Sequence, residues 1–146
     1  MSVKFFGRYE HSLDPKGRLI LPAKFRSHFE SGGYLTQYFQ GCLAMWTPEE
    51  FDKQMVTREG TQDHSREERN MARVWAAGTQ EAEVDRQGRM FIAPSLREFA
   101  GLSTAVLVQG AINRVELWDP ERWTARVAST EEQMIDNAPD DAPDMT

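Results

Sequence analysis

The feature that most constrains the fold of this chain is an internal repeat. Residues 14–18 (Asp-Pro-Lys-Gly-Arg) match residues 85–89 (Asp-Arg-Gln-Gly-Arg) at an offset of 71, and residues 46–51 (WTPEEF) match residues 118–123 (WDPERW) at an offset of 72. Two matching blocks in the same order indicate a duplication in which one loop changed by a single residue. Because 146 residues give each copy little chain from which to close a core, the copies are expected to pack on each other.

The sequence of each copy predicts the same order of elements: a strand, a tight turn, a short apolar strand, a short helix, a pair of strands and a closing helix. The turns are predicted from Asp at the first position and Gly at the fourth, so that Asp14, Gly17, Asp85 and Gly88 form them. The predicted strands are 5–13, 18–21, 34–39 and 42–46 in the first copy and 80–84, 89–92, 105–109 and 114–118 in the second. The predicted short helices are 23–29 and 95–100, and the closing helices begin at Pro48 and Pro120.

The repeat divides the chain into two units and two connecting or terminal segments. We predict a first unit over 3–58, a linker helix within 59–79, a second unit over 80–128 and an acidic disordered tail over 129–146. The linker helix is expected to start with the capping box 65–68 (Ser-Arg-Glu-Glu) and to run to about residue 77, with Met71, Val74 and Trp75 on one face. The tail is predicted to be disordered because it is acidic and has few large apolar residues.

The net charge of −6 is unevenly distributed. Six of the 23 acids lie in residues 131–146, which contain no Lys or Arg, so the rest of the chain is close to neutral. Residues 1–30 carry six bases against three acids. The overall charge therefore does not exclude a nucleic-acid partner, since a local basic surface decides such binding.

The repeated Asp-x-x-Gly-Arg turn is the motif that carries chemistry. Its Asp carboxylate can accept backbone N–H groups, and its Gly permits positive φ. The Arg that follows presents a planar fork of donors to the Asp or to an external anion. Two interpretations remain open from the residues alone: a structural Asp–Arg ion pair that stiffens a hairpin, or a site for an anionic ligand such as DNA.

Paired Asp-x-x-Gly-Arg turns, each before a short apolar strand and Pro, followed by a Trp-x-Pro-Glu block, resemble the MraZ family over roughly residues 3–127. The resemblance implies a mainly β fold with short helices (α+β), in which two AbrB-like swapped-hairpin units interleave into a pseudo-twofold β-barrel. It also implies a sequence-specific DNA-binding transcriptional regulator that forms ring-shaped homo-oligomers. Such a regulator would act on direct repeats in the promoter ahead of the cell-division and cell-wall gene cluster, its own gene included.

On this resemblance the first turn is the main expected DNA face, and the second turn contributes less because Gln87 replaces Lys16 in a more acidic setting. Arg can pair bidentately with guanine, whereas Lys more often meets phosphate. The candidate DNA-binding residues are Asp14, Lys16 and Arg18 with Arg8, Lys24 and Arg26, and in the second copy Arg86 and Arg89.

Other kinds of site are not indicated. His11, His28 and His64 lack metal-ligand spacing, and the single Cys42 allows no intrachain disulfide, so we predict no metal, no cofactor, no small-molecule substrate and no catalysis. No signal peptide or membrane span is recognised, and we expect a cytoplasmic, nucleoid-associated protein. Two alternatives are kept: a ring-forming protein-interaction module without specific DNA binding, and an enzyme using the Asp/Arg pairs as acid and anion clamp.

Overall fold

The structure is a computed structural model that describes residues 3–60 and 64–136. Its described residues form eight strands and six α-helices, so the fold is α+β as predicted. The strands are β1 (Arg8–Ser12), β2 (Arg18–Ile20), β3 (Gly33–Tyr38), β4 (Cys42–Trp46), β5 (Gln80–Ala82), β6 (Arg89–Phe91), β7 (Ala105–Gly110) and β8 (Val115–Trp118). The helices are α1 (Ala23–Arg26), α2 (Pro48–Glu59), α3 (Arg66–Ala77), α4 (Pro94–Ala100), α5 (Pro120–Arg126) and α6 (Ser129–Asp136).

The strands of the two copies are interleaved. Six strands form one sheet in the order β1-β7-β8-β4-β3-β5, and β2 pairs with β6 in a separate two-stranded sheet. The first strand of each copy therefore pairs with the other copy: β1 runs antiparallel to β7, and β5 runs antiparallel to β3. This arrangement makes each copy depend on the other for the ladders of its first two strands and for one edge of its third strand, whose other edge pairs within its own copy.

The eight described strands do not form the closed barrel that the family resemblance implied. The six-stranded sheet ends at β1 and β5, and it meets the two-stranded sheet through single-residue bridges, Leu13 to Leu19 and Val84 to Met90. The tight turns explain why the two sheets do not join further. The chain bends immediately after Leu13 and after Val84, so only one residue pair at each turn can connect the six-stranded sheet to the two-stranded sheet.

One apolar core is shared by both copies. Leu19 and Met90, which are equivalent in the repeat, are fully buried at its centre, as are Leu21 and Ile92. Burial of side chains of this size contributes roughly 1.5–3 kcal/mol each. Because these residues come in equivalent pairs from the two copies, neither copy alone provides the core that stabilises it.

The linker helix begins where the sequence predicted. The Ser65 hydroxyl accepts the backbone N–H of Glu68, and α3 runs from Arg66 to Ala77. The expected apolar face of α3 is only partly buried. Trp75 stacks on Phe51 of α2, whereas Met71 and Val74 are exposed.

The predicted disorder of 129–146 is wrong for its first part, since residues 129–136 form α6. Composition did not reveal that Glu131 of α6 forms an ion pair with Arg8 at 2.9 Å. Residues 137–146 of the predicted tail lie outside the described residues. Among the helices within 3–60 and 64–136, none is long and apolar enough to span a membrane.

Candidate nucleic-acid interface

The first Asp-x-x-Gly-Arg turn is fixed by one carboxylate. One oxygen of Asp14, Oδ1, accepts the backbone N–H groups of Lys16 and Arg18, both at 2.9 Å. The other oxygen, Oδ2, accepts the Nε–H of Arg18 at 2.8 Å. Gly17 has a φ of +77°, which the turn requires and which a β-carbon disfavours. The turn therefore holds the Arg18 guanidinium by Nε, and in the described part of the chain no hydrogen bond engages its two terminal nitrogens.

The second turn repeats this geometry with one difference. Asp85 Oδ1 accepts the N–H groups of Gln87 and Arg89 at 2.9 Å, and Asp85 Oδ2 accepts the Nε–H of Arg89 at 2.7 Å. A terminal nitrogen of Arg89 also donates to the side-chain oxygen of Gln87 at 2.9 Å. Arg89 is thus more fully engaged within its own turn than Arg18, whose turn has Lys16 at the equivalent position.

Both turn carboxylates are stabilised in the ionised form. The backbone hydrogen bond from Arg18 is the largest cause that lowers the pKa of Asp14 below its usual value, and the Arg89 backbone lowers the pKa of Asp85 in the same way. Each Asp–Arg pair is therefore neutral in sum. The positive charge of this end of the molecule comes from the other basic residues near the turns.

The two turns are tied directly to each other. The backbone N–H of Leu21 donates to the Gly88 carbonyl at 2.8 Å, and that of Ile92 donates to the Gly17 carbonyl at 3.0 Å. Between the turns, β2 and β6 form an antiparallel ribbon in which Arg18 lies opposite Phe91 and Arg89 lies opposite Ile20.

Only one face of this ribbon belongs to the core. Leu19 and Met90 are buried, whereas Ile20 and Phe91 are 44% and 49% exposed on the other face. Strand alternation places Arg18 and Arg89 on that same outer face. The outer face therefore presents two arginines and two apolar side chains on one rigid, two-stranded ribbon, a width that the DNA major groove admits.

Two further arginines flank the ribbon. Arg26 on α1 donates its Nε–H to the Leu21 carbonyl at 2.8 Å, and Arg97 on α4 donates its Nε–H to the Ile92 carbonyl at 2.9 Å. Arg26 lies beside the turn at Gly88, and Arg97 lies beside the turn at Gly17. Arg97 was absent from the predicted site, although its equivalence to Arg26 in the repeat was the signal that could have identified it.

The structure does not gather every predicted residue at the turns. Lys16 and Arg86 are exposed in the turns themselves, and Lys24 is exposed on α1 beside Arg26. Arg8, however, lies at the far end of β1, six residues before Asp14, which corresponds to roughly 20 Å of extended chain.

Arg8 is engaged with other parts of the molecule. It donates to Gln109 at 2.6 Å, pairs with Glu131 at 2.9 Å, and lies over the Trp123 ring at 5.1 Å. These contacts lie on the side of α5 and α6, so Arg8 does not belong to the cluster at the turns.

Cys42 and the possible metal ligands are the side chains considered for other chemistry. Burial raises the pKa of the Cys42 thiol, which keeps it protonated and unreactive. Within 3–60 and 64–136 no three His, Cys, Asp or Glu side chains are grouped so as to hold a metal ion.

The sequence is similar to one family of known proteins over nearly its whole length. The family model described as "MraZ protein, putative antitoxin-like" matches residues 5–73 and again residues 75–144. Its two matches agree with the internal repeat and divide the chain within α3, inside the segment predicted as the linker helix.

Individual relatives are similar over most of the chain. A protein of Nocardioides sp. named transcriptional regulator MraZ is 43% identical over 121 residues, which cover 83% of this chain and 84% of that protein. Proteins of the same name from Acetivibrio thermocellus and Halothermothrix orenii are 39% and 38% identical. These alignments cover 82% and 88% of this chain, and 83% and 90% of the respective relatives.

Proposed function

The chain belongs to the MraZ family, and from that premise we propose that it regulates transcription by binding double-stranded DNA in a sequence-specific manner. The family is one of transcriptional regulators and not of enzymes, in agreement with the prediction that the chain is not catalytic. We assign DNA binding to the end of the molecule that carries both Asp-x-x-Gly-Arg turns and the ribbon between them.

The observation that carries this proposal is the rigid presentation of Arg18. Its guanidinium is held at Nε by Asp14, and its terminal nitrogens lie at the edge of an outward-facing ribbon. A bidentate pair between an arginine and guanine contributes roughly 1–3 kcal/mol of base discrimination. Ile20 and Phe91, exposed on the same face, are of the apolar type that contacts thymine methyl groups.

The remaining residues of the cluster divide by role. Asp14 and Asp85 position the arginines, because their carboxylates are occupied by hydrogen bonds within the turns. The exposed Lys16, Lys24 and Arg86 are suited to phosphate contacts, which add affinity without sequence preference. Arg89 contributes less than Arg18, because Gln87 already engages one of its terminal nitrogens.

The proposal extends to the promoter and to assembly. The family resemblance supports binding to direct repeats ahead of the cell-division and cell-wall gene cluster, the gene of this chain included, by a ring-shaped homo-oligomer. One chain offers few base contacts, so several chains bound to neighbouring repeats would gain affinity through effective concentration. Such a regulator would act in the cytoplasm, in association with the nucleoid.

A gel-shift titration at two salt concentrations tests the proposal. The full chain is titrated against the DNA upstream of its own gene and against a scrambled duplex of equal length and composition. We expect tighter binding to the upstream DNA, and weaker binding of both duplexes at the higher salt concentration because phosphate contacts release counterions.

The variant Arg66→Ala provides a control for the loss of a positive charge, since it removes an exposed arginine of α3 outside the turns. It should bind like the unmodified protein. Equal, weak and salt-independent association with both duplexes would contradict DNA recognition. That outcome would favour the alternative, a protein-interaction module that assembles without specific DNA binding.

A further inference from the structure

An apolar groove lies on a part of the molecule that the proposed DNA interface does not use. It has a volume of about 570 Å³ and runs between α2 and α3, with the end of β3 and α4 closing its sides. The side chains that matter for its chemistry are Phe39, Arg58, Met71, Val74, Trp75 and Phe99.

The groove walls expose more apolar surface than α3 can bury by itself. Phe39, Met71 and Val74 are each more than half exposed, at 53%, 54% and 57%. Trp75 is the one side chain of α3 that is buried. A contiguous apolar surface of this kind on a polar helix is typical of a binding surface for another chain.

A second unpartnered apolar surface lies on α6. Met134 and Ile135 are 80% and 82% exposed, so no described residue covers them. An eight-residue helix is too short to be stable by its own hydrogen bonds. A partner that covers this pair would therefore stabilise α6 as well as bury the two side chains.

The charges of the two surfaces are complementary. The described helix α6 carries Glu131, Glu132 and Asp136 and no base. Arg58 lies over the Trp75 ring in the groove at 4.3 Å. At the rim, Arg122 donates to the Phe99 and Gly41 carbonyls, and Arg126 donates to the Gln40 carbonyl. Among the lining residues Arg58 is the base and Glu68 is the acid, so the additional positive charge beside the groove comes from Arg122 and Arg126.

We propose that α6 of one copy of this chain docks in the groove of a second copy, with Met134 and Ile135 against Met71 and Val74. This is the helix-in-groove mode, in which an amphipathic helix lays its apolar face into a hydrophobic groove. Every copy carries one groove and one α6, so a contact that is not reciprocated repeats head-to-tail and links copies into a closed ring or an open filament, whereas a reciprocal exchange closes a dimer.

This inference rests on the self-assembly in the proposed function, and it identifies the surfaces that make the contact. Within the described residues α6 does not fill the groove of its own chain, since no α6 residue lines that groove and Glu131 of α6 is tied to Arg8. DNA recognition by the turns does not enter the argument. Failure of the contact and failure of DNA binding can therefore be told apart.

Pairwise disulfide cross-linking tests the contact. Full-length chains carrying Val74→Cys and full-length chains carrying Ile135→Cys are co-expressed with different tags and mildly oxidised. The native Cys42 can stay, because it is buried and its thiol is held protonated. We expect a disulfide-linked heterodimer as the main product of the mixture, and little linked dimer from either variant alone.

The matched control replaces Val74→Cys with Val56→Cys, which changes an exposed valine of α2 that does not line the groove. The mixture of Val56→Cys and Ile135→Cys chains should give little disulfide-linked heterodimer. Equal yield from both pairs would overturn the proposal, as would dimers of Val74→Cys alone, which indicate groove-on-groove packing. A chain that carries both Val74→Cys and Ile135→Cys should likewise form disulfides between chains, and a disulfide formed only within one chain would overturn the proposal.

Light scattering on Met134→Ser/Ile135→Ser separates this contact from assembly in general. We expect the mass to shift from the oligomer to a single chain, with binding to a scrambled duplex retained. An unchanged oligomer would show that the copies meet elsewhere and would overturn the proposed contact. A single-chain mass already in the unmodified protein would contradict both this contact and the assembly in the proposed function.

Discussion

The guanidinium of Arg26, from the first copy, lies across the turn of the second copy at Gly88. A methyl group placed on Gly88 would come within 2.2 Å of Arg26 Nε. The same relation holds between Arg97 and Gly17, where the added carbon would lie 2.8 Å from the guanidinium carbon. Each turn is thus backed by an arginine of the other copy, and glycine at this position satisfies both the positive φ and the close approach.

Gly88→Ala is expected to destabilise the fold. Alanine would meet a φ of +83° and the Arg26 side chain at once, and a left-handed backbone at a residue other than glycine costs about 1–3 kcal/mol. The free energy of unfolding, measured by urea denaturation, should fall by about 1–3 kcal/mol.

Gly60→Ala is the matched control for this substitution. Gly60 ends α2 with a φ of −65°, and its nearest neighbour to an added carbon is a carbonyl at 3.5 Å. Alanine in such a conformation stabilises by about 0.4–1 kcal/mol through the unfolded state. Equal effects of the two substitutions would contradict the requirement for glycine in the turn.

Asp14→Asn should weaken the fold in a pH-dependent way. The pKa of Asp14 is lower in the folded protein than the usual aspartate value of about 3.9, so its carboxylate stabilises the fold at neutral pH. This stabilisation is complete above the unfolded pKa and is lost as the pH falls through the lowered folded pKa. The melting temperature of Asp14→Asn should lie below that of the unmodified protein at pH 7, and the gap should narrow below about pH 4.

The control Asp52→Asn changes an exposed carboxylate of α2, outside both turns. It should leave the melting temperature close to that of the unmodified protein at both pH values. A gap for Asp14→Asn that stays constant from pH 7 to strong acid would show that the carboxylate charge does not stabilise the turn.

Much of this architecture could be predicted because its turns and helix ends are fixed by residues that are neighbours in sequence. The segments 14–18 and 85–89 each contain the residues that fix a turn locally, and β4 was predicted with the bounds that the structure shows. Capping residues predicted where the helices begin, because they also act locally. The side chains of Thr47, Ser65 and Asp119 each accept the backbone N–H of the residue three positions later. These features depend on neighbours in sequence.

What the sequence could not predict depends on neighbours in space. The ion pair between Glu131 of α6 and Arg8 joins residues more than a hundred positions apart, so the acidic composition of the tail indicated disorder instead. Arg8 was assigned to the site from the basic charge of the N-terminal segment, although six residues of predicted strand already separate it from Asp14. Arg97 was overlooked because only the interleaving of the copies brings α4 to the first turn.

Arg18→Ala is expected to remove the preference for promoter DNA while the fold and the oligomer stay intact. A lost guanine contact costs roughly 1–3 kcal/mol, or about 5- to 150-fold in discrimination between cognate and scrambled duplex. Arg89→Ala should lose less, because Arg89 already donates to Gln87. Gel-shift titrations of both variants, with circular dichroism to check folding, measure the difference. Equal losses would contradict the asymmetry between the two turns.

The two copies are expected not to fold apart. Fragment 1–60 keeps β1 and β3 but loses their partners β7 and β5. Fragment 78–130 keeps β7 and β5 but loses their partners β1 and β3. Each fragment also keeps only half of the shared core, Leu19 without Met90 or the reverse. Unpaired strand edges beside an open core favour aggregation. Expressed separately, both fragments should be insoluble or should lack a cooperative thermal transition by circular dichroism.

Refolding the two fragments together distinguishes interleaving from a general loss of stability. If each fragment supplies the missing strands of the other, an equimolar mixture should recover a soluble one-to-one complex with a cooperative melt. A mixture of fragment 1–60 with a fragment 78–130 carrying Val108→Pro provides the control. Proline at the centre of β7 removes a backbone donor and is not tolerated within a central strand, so pairing with β1 should fail. A cooperative melt of either fragment as a monomer would show that each copy closes its own core, contrary to the strand order β1-β7-β8-β4-β3-β5.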